Sequence, residues 1–412
     1  MNLNLILLII VSSFLACDNS KEYIVNYSEN ELKALDVNQP DIQWFKTYTG
    51  SQQESHAHYV MQTLDDGYLM IGETGFVEDL SAKILVIKID LNGELLWKYE
   101  YGESGFNLGN SLVQINEDYY LISGSLDAKA ALIKIDAKSG KALPGWPKIW
   151  DLGLESSFES IVLGKNNIIV AAGYKNGIGE GTFYNEGTGF VMFLTMDGEI
   201  IRSIDLSQYI STAYRIKMID DGYMIASHPV LGTEDYDLIK LNFDGDFVFG
   251  KSYTEDLFWG FDINENGNML LAGHTNQSPI SNNWDLQSTA LDFAGNEIWT
   301  EYTGQPRGYD SEYIHDEAWG VQAAADGSWF VIAGTGDEYN YEGKGHQYGD
   351  SGLWLVSLIK YSSEGELLWQ GLYGDKNQQQ DWAGEDLVLT NDGGILISVD
   401  NSNFGFLKLK YQ

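Results

Sequence analysis

One turn-and-strand unit recurs seven times, and this repetition narrows the fold more than any other feature of the chain. The first copies are Asp65-Asp66-Gly67-Tyr68-Leu69-Met70-Ile71-Gly72, Glu117-Asp118-Tyr119-Tyr120-Leu121-Ile122-Ser123-Gly124 and Asn166-Asn167-Ile168-Ile169-Val170-Ala171-Ala172-Gly173. They continue with Asp221-Gly222-Tyr223-Met224-Ile225-Ala226-Ser227 and Asn266-Gly267-Asn268-Met269-Leu270-Leu271-Ala272-Gly273. The last two are Asp326-Gly327-Ser328-Trp329-Phe330-Val331-Ile332-Ala333-Gly334 and Asp392-Gly393-Gly394-Ile395-Leu396-Ile397-Ser398. Successive copies lie 45 to 66 residues apart, the size of a four-stranded blade.

A second signature falls between the copies: Asn92-Gly93 leading to Trp97, Asp197-Gly198, Asp244-Gly245 leading to Phe249, Gly295 leading to Trp299, and Gly365 leading to Trp369. Asn-Gly and Asp-Gly between apolar runs favour tight hairpins, because such turns need positive φ. Each blade therefore reads strand a, turn, strand b, loop, strand c, turn, strand d. The Trp and the Tyr that follows it (Trp97 and Tyr101, Trp369 and Tyr373) are expected to pack between blades. Asp41-Ile42-Gln43-Trp44 matches a strand d but precedes the first strand a, while Phe404 to Tyr411 supplies only a strand c before the chain stops. The amino-terminal strand is thus expected to complete the last blade, closing the ring and removing its sheet edges. The fold expected is all-β, a seven-bladed β-propeller over residues 41–412.

Composition agrees with one large β domain. A length of 412 residues would allow two or three domains, but all-β domains often exceed the usual size. A hydrophobic content of 44% rules out disorder. Sixty acidic against 24 basic residues give a net charge of −36, which excludes nucleic acid as a partner. The single cysteine excludes a disulfide scaffold and a cysteine zinc site.

That cysteine closes an apolar amino-terminal run. Leu3 to Ala16 is too short to span a bilayer, and Phe14-Leu15-Ala16-Cys17 resembles a bacterial lipoprotein lipobox. The resemblance implies a signal peptide over 1–16, lipidation at Cys17, and a tether over 17–40 with Asp18 and Lys21-Glu22 like the flanks of surface lipoproteins of Bacteroidota. The protein would then be anchored to the outer membrane, exposed at the cell surface, and a monomer. The "Asp-x-x-Gly-x-x-x-Trp" hairpin resembles repeats of secreted Bacteroidota propellers, and Ile135 to Ala142 resembles a quinoprotein-type repeat.

Strand order sorts the loops onto two ends. The Asp-Gly turns, short and repetitive, share one end, and their aspartates are read as turn formers rather than metal ligands. The d-to-a and b-to-c connections share the other end and are long and irregular, as binding loops are. All six histidines fall there: His56 and His58, His228, His274, His315 and His346. Tyr214 and Arg215 occupy the strand-a slot that His58-Tyr59, Trp259 and Trp319 hold in other blades, so these positions ring the channel mouth. Arg307 lies in a long loop of the same end, whereas Arg202 takes the Trp slot of a strand d and is expected at the periphery.

His, Tyr and Arg together suit elimination from a uronic-acid sugar. Arg or His stabilises charge growing on the carboxylate while Tyr or His moves protons. The propeller resembles seven-bladed ulvan lyases in blade number and in its His/Tyr/Arg-rich face, which implies a lyase or an oligosaccharide dehydratase. The catalytic set expected is His58, Tyr214, Arg215, His228, His274 and His315, without individual roles. Trp259, Arg307, Tyr313, Trp319 and Trp382 are expected to bind an acidic oligosaccharide, with aromatic faces for sugar rings. The charge of −36 opposes an anionic glycan, although marine salt would shorten the Debye length to roughly 4 Å and leave only local charge. No cofactor is required. Other readings are a non-catalytic glycan- or protein-binding propeller, a metal site from His56, His58, His228 and His274, and glycoside hydrolysis by Glu317 and Glu385.

Overall fold

A computed structural model describes residues 39–52, 54–77, 80–177, 187–227, 235–253, 257–275, 284–304, 315–336, 354–375 and 380–411. Among them are seven four-stranded antiparallel sheets and no helix. Six sheets take their strands consecutively. The seventh joins Ala383–Leu389, Ile395–Asp400 and Phe404–Lys410 to Asp41–Tyr48, which pairs with Phe404–Lys410 from Asp41 opposite Lys410 to Tyr48 opposite Phe404. The expected closure of the last blade by the amino-terminal strand is therefore present. Neighbouring inner strands touch all the way round, which makes the sheets blades of one ring.

Local chemistry explains the hairpins. In the strand a-to-b turn of blade 1, Asp65 Oδ1 accepts from Gly67 N at 3.3 Å and from Lys88 Nζ on strand c at 2.7 Å. Blade 7 repeats the arrangement with Asp392, Gly394 N and Lys408. Lys88 and Lys408 are buried while their aspartates are exposed, so the turn aspartates act as counter-ions to buried ammonium groups. They are structural, as expected.

Strand d of each blade reaches over the next. Trp97 Nε1 donates to Ala137 O at 3.0 Å, and Trp299 Nε1 to Ser363 O at 3.0 Å. Tyr101 OH donates to Gly140 O, and Tyr253 OH to Gly295 O at 2.8 Å. Gly140 adopts φ +70°, and a Cβ there would lie 2.5 Å from the Trp97 ring, so two independent constraints select glycine. Arg202 also packs at the periphery, its Cζ 4.8 Å from the Phe193 ring centroid.

The central strands b and c are buried on both faces and fill the inter-blade cores, as in blade 1 where Leu69, Ile71, Ile84 and Val86 pack with Leu112, Ile122 and Ile133 of blade 2. Each such side chain contributes roughly 1.5–3 kcal/mol. The inner strands differ, because one face looks into the channel.

Candidate functional site at the channel mouth

Every inner strand carries a β-bulge at the same place. Pairing with strand b skips His58, Asn110, Glu159, Tyr214, Trp259, Trp319 and Glu385 in blades 1 to 7. A bulge adds one unpaired residue, bends the strand and re-aims a side chain. Seven such residues, one per blade, form a ring at the end of the channel where His56, His58, His274 and His315 lie. The glycine that closes the sequence repeat, inside strand b, has its reason here. A Cβ on Gly72, Gly124 or Gly173 would lie 1.8 to 1.9 Å from the carbonyl oxygen of His56, Leu108 or Ser157, which the bulge pushes toward it.

Blades 7, 1, 3 and 4 supply titratable groups to this ring. Burial pushes the Glu385 carboxyl up to about 8, reinforced by the Asp400 charge and only partly opposed by His58. Burial likewise raises its neighbour Asp386 to about 6, against the pull of Arg215, and Asp386 Oδ2 accepts the Val60 amide of blade 1 at 3.1 Å. Glu159 is raised by burial, and its Oε1 accepts from Asn110 Nδ2 at 3.0 Å. His58 Nε2 stands 3.2 Å from Glu73 Oε1, and His56 Nδ1 stands 2.6 Å from Asp400 Oδ2. Burial alone would depress both imidazoles. Glu73 outweighs it at His58, and Asp400 outweighs it at His56, carried up to about 9.

Tyr214 and Arg215 face these groups from blade 4. The Arg215 guanidinium stacks on the Tyr214 ring with Cζ 4.2 Å from the centroid, and one Nη lies 3.4 Å from the phenol oxygen. Burial holds the Tyr214 phenol up to about 12, and it raises Tyr59 as well. Arg215 feels Asp386, Tyr59 and Glu159, and Tyr214 feels Glu385, so the field of blade 4 crosses the channel to blades 7, 1 and 3. Among the described residues no carboxylate forms an ion pair with Arg215. Two positions along the same strand, Lys217 pairs with Asp262 of blade 5 at 2.9 Å.

Blades 5 and 6 supply aromatic groups. Trp259 and Trp319 stand 4.7 Å apart between centroids, and Tyr214 meets Trp259 edge-on at 5.1 Å. His274, at the end of strand b of blade 5, packs between Trp259 and Trp284 and is lowered by burial to about 4. His315 opens the inner strand of blade 6, 3.2 Å from Glu317. Burial would raise the Glu317 carboxyl, but His315 and His274 hold it below its ordinary value.

Of the residues expected from the sequence, His58, Tyr214, Arg215, His274, His315, Trp259 and Trp319 lie at this end of the channel. Trp382 precedes the inner strand of blade 7 and is buried against Phe45, 3.9 Å between centroids, as part of an inter-blade core. His228, Arg307, Tyr313, His346 and Cys17 lie outside the described residues. Asn110 and Glu159 were not expected in the ring, and Glu385 was expected only as a hydrolytic partner of Glu317; Asp386 adjoins the ring beside Glu385. The signal was present, since Glu159 and Glu385 precede the left-handed turn residues Asn167 and Gly393 by the same eight positions that separate His58 from Asp66 and Trp319 from Gly327. Among the described residues no group of three or more His, Cys, Asp or Glu side chains could hold a metal ion.

No protein-family model and no curated protein matches the chain. Solved structures do match. A streptogramin B lyase superposes with a TM-score of 0.53 at 12% identity, covering 89% of this chain and 98% of that one. A catalytically inactive variant of virginiamycin B lyase from Staphylococcus aureus, with quinupristin, gives 0.54 at 13%, covering 89% and 99%. The WD40 propeller domain of Doa1 gives 0.51 at 12%, covering 89% and 98%. At these identities the likeness establishes the propeller fold.

Proposed function

We propose that the channel mouth is an acid–base site that carries out elimination on a uronate residue of an acidic oligosaccharide. The observation that carries this reading is Arg215. In a chain with 60 acidic residues, this guanidinium lines the channel mouth with its planar fork unclaimed by any described carboxylate. Arg is suited to bidentate recognition of a carboxylate, so a substrate carboxylate is a fitting partner. The overall charge of −36 matters less at close range, where Arg215 carries positive charge into the channel mouth. The fold itself does not choose, because lyases and WD40 domains share it.

In the proposed reaction Arg215 holds the substrate carboxylate and stabilises the charge that grows on it as the α-proton leaves. Glu385, in its ionised form, takes that proton; its raised pKa makes it a stronger base than an ordinary carboxylate. The C–H electrons become a double bond, the bond to the neighbouring oxygen breaks, and Tyr214, held protonated, donates to that oxygen. His58 and His315, beside Glu73 and Glu317, orient and balance these groups. A lipid anchor at Cys17 would hold the enzyme on the outer membrane.

The test is a panel of uronate oligosaccharides, followed by the ultraviolet band of a conjugated unsaturated uronate and by product masses. Unsaturated ends after cleavage, or loss of one water without cleavage, support a lyase or a dehydratase respectively. Arg215→Gln should then lower kcat/KM by about 100-fold or more. Water added across the cleaved bond would instead assign hydrolysis to Glu385 and Glu317, whose carboxyls are shifted in opposite directions. No covalent change over the panel would leave a binding propeller.

A further inference from the structure

His274 is buried to 2% exposure, and its Nδ1 has no hydrogen-bond partner among the described residues. The imidazole stands in an aromatic recess, 6.4 Å from the Trp259 ring at 29° and 4.9 Å from the Trp284 ring at 84°. Trp319 extends the recess toward the channel. Among the described residues no charged side chain hydrogen-bonds to His274, and the ion pair beside it is His315 with Glu317. A buried polar nitrogen left unpaired costs about 1–3 kcal/mol, and a bound ligand that pairs with it removes that cost.

We infer that this recess is a second subsite, holding the uncharged sugar ring next to the uronate, with His274 hydrogen-bonding one of its hydroxyls. The half-buried rings of Trp284 and Trp319 can accept the apolar face of a sugar ring, while the buried Trp259 backs them. A hydroxyl both donates and accepts, so it satisfies the free nitrogen in either imidazole tautomer. A second carboxylate fits poorly, because it would meet Glu317 and, among the described residues, find no unpaired cation beside His274. The resting imidazole is neutral, in keeping with an uncharged partner. The inference rests on the oligosaccharide reading above, and the experiment separates the two.

The full chain is titrated with methyl glucoside and with methyl glucuronoside, read by saturation-transfer NMR and tryptophan fluorescence. Methyl glucoside should bind the wild type and Arg215→Gln alike, about fivefold to tenfold more weakly to His274→Ala, and with partial recovery in His274→Gln. Trp319→Leu, at a ring that the channel solvent reaches, should weaken it too and does not disturb the buried imidazole. Methyl glucuronoside should lose affinity in Arg215→Gln. A wild type that does not bind the neutral glycoside would overturn the subsite, as would unchanged affinity in either His274→Ala or Trp319→Leu. If Arg215→Gln leaves the glucuronoside unaffected while the neutral sugar still depends on His274, the subsite stands and the uronate reaction falls.

Discussion

Glu385→Gln should make the protein more stable in mild alkali, with the gain vanishing in acid. The carboxyl of Glu385 titrates at about 8 in the folded chain against an ordinary value of 4.5. Between those values the folded state keeps a proton that the unfolded state has lost, so stability falls as pH rises. Each pH unit crossed costs about 1.4 kcal/mol, which sets a ceiling near 5 kcal/mol at pH 8 and above. Water reaches the channel mouth and softens the desolvation, so about half of that ceiling is the expected difference. Glutamine matches the neutral carboxyl in shape and never pays this cost. The assay is urea unfolding followed by tryptophan fluorescence, at intervals from pH 4.5 to 9, for wild type and variant in parallel. Asp386, His56 and His58 also hold protons more firmly when folded, and they lower stability in the same direction in both proteins. The difference curve reports Glu385 together with its coupling to His56 and His58, whose imidazoles its charge helps hold protonated. A flat difference across this range would mean that the carboxyl is ionised in the native channel, and the proposed base would lose its distinguishing property.

If Glu385 is the base, log kcat/KM should climb with pH until about 8 and then level off, and a profile that levels near 4.5 would remove it from that role. Asp65→Ala should destabilise more than Lys88→Met, by about 3 kcal/mol against 1 or less in urea unfolding, because the former leaves a buried ammonium group with Thr63 Oγ1 and no counter-ion, the latter only an exposed carboxylate. Gly140→Ala and Gly145→Ala both force alanine into positive φ, but only the first drives a Cβ into Trp97, whereas the second meets open space. Thermal melts should therefore show a cost of about 1 kcal/mol at Gly145 and at least twice that at Gly140. Removing residues up to Tyr48 would expose the Phe404–Lys410 edge, and light scattering should reveal association that the full chain lacks.

The fold was legible because each blade repeats its turn chemistry, and because a strand d without a blade at one end matched a blade without a strand d at the other. The site was legible only in part. His58, Tyr214, Trp259 and Trp319 stood out as unusual side chains in a common slot, whereas Asn110 and Glu159 looked like ordinary polar residues and Glu385 was singled out only as one of a carboxylate pair for hydrolysis. What marks them is pairing: the bulge leaves each unmatched on strand b, and pairing is a three-dimensional property. The glycine closing the repeat was equally visible, but its meaning depended on a carbonyl of strand a beside its pairing partner. Trp382 illustrates the opposite case, since proximity in sequence to an inner strand did not bring its ring into the channel but into the core beside Phe45.

The first strand also has a mechanical consequence. Asp41–Tyr48 is held along its length by Phe404–Lys410, while Gln39, just before it, bonds both the amide and the carbonyl of Leu372 in blade 6. Tyr373 OH donates to Pro40 O beside it. Opening the ring at this seam would therefore have to break blade 7 and its junction with blade 6 together.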